Sequence, residues 1–135
     1  HPAALAVTSK AHATSIVNRG RYLVEKLACA HVPDPPPNVD VGVDEIEANA
    51  GRPLTGREIA EIHGRDPACA SCHKYLDPFG ITFEVYDPIG RQRTEHDGLP
   101  IDPKVRIDDT FGISGEFANA RELSLALAKT GAAET

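Results

Sequence analysis

The sequence predicts a small, mainly α-helical domain with one short β-hairpin insertion. Three observations point there. Ile16, Gly20, Leu23, Val24 and Leu27 recur at the spacing of one helical face. Capping signals, Thr55-Gly56-Arg57-Glu58 and Asp66-Pro67, stand at the start of two further helical stretches. Asp97-Gly98 lies between short candidate strands, a two-residue hairpin signal.

Residues 1–13 are Ala-rich and carry no start signal. From Thr14 a helix is expected, capped by Thr14 or Ser15, with Arg19, Arg21, Glu25 and Lys26 pointing away from its apolar face. The run His31–Val39 stops it, because prolines at 33, 35, 36 and 37 force an extended path. Residues 40–53 read as a surface connection with acidic spots at Asp44, Glu45 and Glu47. A short helix is expected from Thr55 to His63, with Gly64 as its C-terminal cap. Another begins at Asp66 with Pro67 in its first turn, and Asp77-Pro78 ends or bends it. Phe79–Gly90 reads as a short helix with a loop, Arg91–Ile101 as the hairpin, and Val105–Ser114 as a third short strand. A last helix from Glu116 to Lys129 turns Phe117, Ala120, Leu123 and Leu127 inward. Residues 1–95 and 96–135 are expected to form two segments of one structural unit.

A length of 135 residues suits one compact domain. The net charge of -6 argues against nucleic acid or an anionic membrane surface as partner and favours basic patches. No apolar run approaches the length of a membrane span. The opening His1-Pro2 reads as a mature or excised segment of a longer protein.

The chemistry concentrates in Cys69-Ala70-Ser71-Cys72-His73, the spacing of a c-type haem attachment site. On a helix, side chains three apart share a face. The two thiols can then reach both vinyl groups on one haem edge, and His73 can offer a ring nitrogen to iron. Its other nitrogen should donate to a backbone carbonyl, and those around Asp77-Pro78 lie at a suitable distance along the chain. A thiol redox pair would need a βαβ context, which is missing. A zinc site would need four ligands, and no second Cys-x-x-Cys stands in the sequence, although Cys29 and a histidine could complete one. The expectation is one covalent haem c, attached through Cys69 and Cys72 with His73 as proximal ligand. Aromatics make up only 5% of the chain, so a protein-only core would be thin and the porphyrin would add apolar area.

The second axial position is open. The chain has no Met, which excludes His/Met ligation within it. His63 shares the inward face of Ile59 and Ile62 and is the first candidate, against a plain core role. His12, in the Ala-rich stretch, is the alternative; Lys10, another chain, water or an open site follow. His31 and His96 are expected to face solvent. Arg91 and Arg93 can pair with the propionates or lie on the surface. Cys29 reads as a small buried hydrophobe or an intermolecular disulfide partner. Asp102, Asp108 and Asp109 are solvated acids or a calcium site that fits no EF-hand pattern.

The stretch from His63 to Arg93 resembles the planctomycete-type cytochrome c domain, a C-terminal haem domain of large secreted multidomain proteins. The family pattern is His, Asp-Pro, Cys-x-x-Cys-His, Asp-Pro-Leu-Gly-Phe, then an apolar segment ending Asp-x-x-Gly-x-x-Arg. Here it falls on His63, Asp66-Pro67, Cys69 to His73, Asp77-Pro78-Phe79-Gly80, and Asp87, Gly90 and Arg93. Upstream, "ATSIVNRGRYLVEKLAC" is similar to the family's first helix, with Ile16 where the family has Pro, and "VPDPPPNVD" to its proline run. "GLPID" and "FGISGEFANARELSLAL" resemble the small domain that follows. The resemblance implies an exported, periplasmic or extracellular helical haem domain. It also supports a histidine at His63.

Two nitrogen ligands would make a one-electron carrier with bis-nitrogen ligation, more an electron-transfer protein than a catalyst. Its partner would be a redox protein or the preceding domains of a larger protein. The alternative is a haem enzyme or a peroxide- or gas-binding site with an open distal position.

Overall fold

The computed structural model describes residues 2–9, 13–34 and 43–133. Among them run six helices and two hairpins: α1 (Pro2–Val7), α2 (Ile16–Lys26), α3 (Val43–Ala50), α4 (Gly56–His63), α5 (Pro67–Thr82), β1 (Glu95–His96), β2 (Leu99–Pro100), β3 (Val105–Thr110), β4 (Ile113–Phe117) and α6 (Ala120–Ala133). With about 49% helix and 15% strand, the class is mixed α and β rather than mainly α. Part of the difference is a second hairpin. A lone third strand was expected at 105–114, but Phe111-Gly112 turns the chain back, with φ of 53° and 73°. Hairpin turns of this kind need positive φ at both central residues, and Phe is an unusual residue to supply it.

Local chemistry accounts for several boundaries. Ser15 caps α2 by accepting from Asn18 N. Thr55 and Glu58 close a reciprocal capping box on α4, and Gly64 follows as its C-cap. Asp66 caps α5 through Ala68 N, with Pro67 in the first turn. Asp97 and Gly98, at φ of 51° and 76°, turn the first hairpin, pairing His96 with Leu99. Short helices also occupy 2–7 and 43–50, where no start signal and a plain surface connection were expected.

Pro78 does not end its helix; α5 continues to Thr82. A mid-helix proline forfeits one backbone bond. Here the segment beyond it is clamped on several sides, and Thr82 Oγ1 donates back to Pro78 O at 2.8 Å. The clamp is the packing of α2 on α5. A Cβ on Gly80 would run into the backbone carbonyl of Ile16, and one on Gly20 into that of Leu76. The two helices therefore touch backbone to backbone at both glycines.

The core joins Ile16, Leu23 and Val24 of α2 to Leu76, Phe79 and Ile81 of α5, and continues into Ile107, Ile113, Leu123 and Leu127. It spans both sequence segments, and β1 lies across residues 95 and 96. Leu27, expected on the buried face, is 48% exposed as the C-cap of α2, while Arg19, expected to point away, is fully buried. Arg19 Nη1 donates to Phe83 O (2.8 Å) and Tyr86 O (2.6 Å), and its Nη2 to Asp87 O (2.9 Å) and Ser9 Oγ (3.0 Å). Those carbonyls follow α5, so one guanidinium stitches α2 to the loop beyond it. Burial pushes its pKa down, and the Glu84 carboxylate at 3.7 Å pulls it back up.

Candidate functional site

The first half of α5 carries the reactive set. Cys69 and Cys72 are free thiols, both half-buried, three residues apart on the helix. The Cys69 pKa is raised, first by burial and then by the neighbouring Asp66 and Cys72.

His73 follows directly. Its Nδ1 lies 3.0 Å from Asp77 Oδ1 and 3.2 Å from Oδ2, one helical turn on. The expected backbone carbonyl partner is thus replaced by the side chain of Asp77. The reason is helical geometry: with α5 continuous, residues four apart face each other while the local carbonyls stay in the helix. The Asp77 hydrogen bond raises the His73 pKa against the opposing effect of burial. His73 Nε2 makes no hydrogen bond among the described residues.

His63, the last residue of α4, meets His73 edge to face with ring centroids 4.6 Å apart. The capping box starts α4 and Gly64 stops it, so the turn into α5 brings the two imidazoles together. Both line a cavity of about 650 Å³, within the usual range of ligand sites. His96 lines the same cavity from β1. It was expected to face solvent at a hairpin tip; it stands in the cavity wall with 35% of its side chain exposed. A hairpin signal fixes the turn and leaves the direction in which the hairpin lies to tertiary packing. Neither thiol lines this cavity. His12, Lys10, His1 and Pro35–Pro37 lie outside the described residues.

The other candidates are engaged elsewhere or open. Arg91 Nε pairs with Asp87 Oδ2 at 2.8 Å, and Asp87 Oδ1 also accepts from the backbone N–H of Ile89 and Arg91. Arg93 is half-buried, donating to Glu84 O (2.9 Å), Glu84 Oε2 (3.2 Å) and Thr14 Oγ1 (2.9 Å). The Asp87, Gly90 and Arg93 part of the motif is therefore a turn and its clamp. Cys29 is exposed at φ 52°, not a buried hydrophobe. His31 is exposed. Among the described residues no group of three or more His, Cys, Asp or Glu is gathered to hold a metal ion by itself. No helix of those residues is long and apolar enough to cross a membrane.

One helix pair thus carries two thiols three residues apart and two imidazoles in edge contact. The chain belongs to the PSCyt3 family, described as a protein of unknown function (DUF1588), whose model matches residues 1–96. The family's name denotes a cytochrome-type domain. No curated protein and no solved structure matches the chain.

Proposed function

We propose that this chain is an exported monohaem c-type cytochrome domain that transfers single electrons. The observation that carries the reading is the His63–His73 contact at 4.6 Å, beside the Cys69/Cys72 pair on the same short helical hairpin.

The donor set fits the group. Two free thiols three residues apart on α5 are the attachment pair. His73 has one nitrogen held by Asp77 and the other unbonded, so its ring is oriented before any metal arrives. His63 offers a second imidazole. With the two rings in edge contact, holding a group between them would require the imidazoles to move apart. When bound, a c-type haem supplies a one-electron ferric/ferrous couple. The chain's part is to fix the two nitrogens, exclude competing ligands and keep the geometry constant between oxidation states. The reading takes an exported location from the resemblance of residues 63–93 to domains of secreted proteins. A net charge of -6 suits a redox partner or preceding domain with a basic face.

Two observations favour a second reading, a site that binds or reduces small molecules. The Asp77 carboxylate makes His73 a more basic ligand, and the cavity beside both imidazoles is large. Mass spectrometry tests attachment, and absorption and EPR spectra with and without CO test ligation. Six-coordinate low-spin iron unchanged by CO is expected for the carrier. High-spin ferric iron with ready CO binding would move the assignment to the second reading. His63→Ala should keep the haem attached and turn the iron high-spin; an unchanged spectrum would remove His63 as ligand and leave His12 or His96.

A further inference from the structure

Three side-chain polar atoms among the described residues are buried with no hydrogen-bond partner: Arg19 Nε, Glu84 Oε1 and Arg57 Nε. The first two belong to one ion pair, Arg19 Nη1 standing 3.7 Å from Glu84 Oε1, so each charge answers the other. Arg57 is different. Its Nη2 donates to the carbonyl oxygens of Asp102 (2.9 Å) and Lys104, and its Nη1 is 3.7 Å from Glu61 Oε1. Its Nε–H has no acceptor. Arg57 stands where two cavities meet: the large one and a second of about 390 Å³ share Arg57, Ala60, His73 and Ile81 in their walls. A buried donor on a cation is costly to leave unpaired. Its one unmet Nε–H suits a single charge-assisted hydrogen bond to an anionic oxygen.

We propose that Arg57 binds a carboxylate of the group that His73 holds, namely a haem propionate. The inference rests on the haem reading above. It moves this role from Arg91, which is exposed and paired with Asp87 through Nε, and from Arg93, which is paired with Glu84. Two more cations line the smaller cavity, and neither has an unmet buried donor. Arg106 is exposed and paired with Asp108 at 2.9 Å, and the Lys74 ammonium sits 4.5 Å from the centre of the Tyr75 ring.

The test uses the full chain with haem attached, comparing wild type with Arg57→Gln, Arg57→Lys and Arg106→Gln by reduction potential and thermal melting. A cation on the propionate offsets negative charge near the iron and so favours the ferrous state. Arg57→Gln is expected to shift the ferric/ferrous equilibrium about tenfold towards ferric, about 59 mV for one electron. Arg57→Lys should keep most of the wild-type potential, and Arg106→Gln all of it. Both Arg57 variants lose the fork on the Asp102 and Lys104 carbonyls. A merely structural latch would therefore lower the potential and the melting temperature equally in both, and that result would overturn the inference. So would unchanged potentials in both. A wild-type chain that carries no haem by mass would overturn the haem reading and this inference with it, whereas haem attached with no response to Arg57 overturns the inference alone.

Discussion

The two halves of α5 are held in opposite ways. Residues 67–74 carry Cys69, Cys72 and His73 and are exposed or half-buried throughout. After the exposed Tyr75, the second half buries Leu76, Asp77, Phe79, Gly80, Ile81 and Thr82, with α2 and β3 packed against the helix. The reactive half has little packing of its own. Its precision is borrowed from the anchored half, and the link is the bond from His73 Nδ1 to Asp77 at 3.0 Å. A reactive group kept at the open end of a clamped helix stays accessible and still has a fixed orientation.

Breaking the clamp should have the largest effect. Gly80→Ala drives a Cβ into the Ile16 carbonyl, and backbone cannot swing aside as a side chain can. A loss on the order of 4–5 kcal/mol is expected, above ordinary overpacking. A urea midpoint equal to wild type would show that α2 and α5 are not in backbone contact. Arg19→Met should rank next, at about 3 kcal/mol, because it leaves Glu84 without one of its two cations and the Tyr86 carbonyl unmet, while the Phe83 and Asp87 carbonyls each keep one backbone donor. Adding Glu84→Gln should recover part of that loss; strict additivity of the two changes would mean that the ion pair carries no coupling.

The same contrast separates what could be read in the sequence from what could not. The start of α4, its C-cap, the start of α5 and the Asp97-Gly98 turn were legible, because each is set by contacts two to four residues away. The placing of Cys69, Cys72 and His73 on one helix was legible in the same way. Arg19 was not legible: its acceptors at Phe83, Tyr86 and Asp87 lie 64 to 68 residues away, and a cation on a helix normally counts as polar face. Pro78 misled for a related reason, since a local breaker is overridden when tertiary packing holds both sides. His96 and Arg57 take their meaning from the fold of the chain over the cavity, which no local pattern encodes.

A smaller effect should come from α4, which presents His63 to the open half. Thr55→Ala removes one side of the capping box and should cost about 1 kcal/mol. Its partner adds a pH dependence. The Arg52 hydrogen bond, and then the Thr55 backbone N–H, hold the Glu58 carboxyl at about 2, below its ordinary 4.5. A depressed carboxyl contributes stability that is complete above 4.5 and lost as pH falls towards 2. Glu58→Gln should thus melt below wild type at neutral pH and converge with it at the acid end. Curves that stay parallel down to pH 2 would remove the linkage.

The smallest effect is expected in the reactive half itself. In the haem-free chain, Cys69→Ser and Cys72→Ser should each change stability by less than about 0.5 kcal/mol, since both thiols are half-buried and neither is disulfide-bonded. Serine keeps nearly the same volume, and the hydroxyl can bond to the carbonyl one turn back, as Ser71 Oγ does to Ala68 O at 3.4 Å. In cells that attach haem, the same two variants should lose covalent attachment while their far-UV dichroism stays that of the haem-free chain. A cost in the haem-free chain approaching that of Gly80→Ala would mean that the thiols belong to the scaffold, and the division of α5 into an anchored and an open half would not stand.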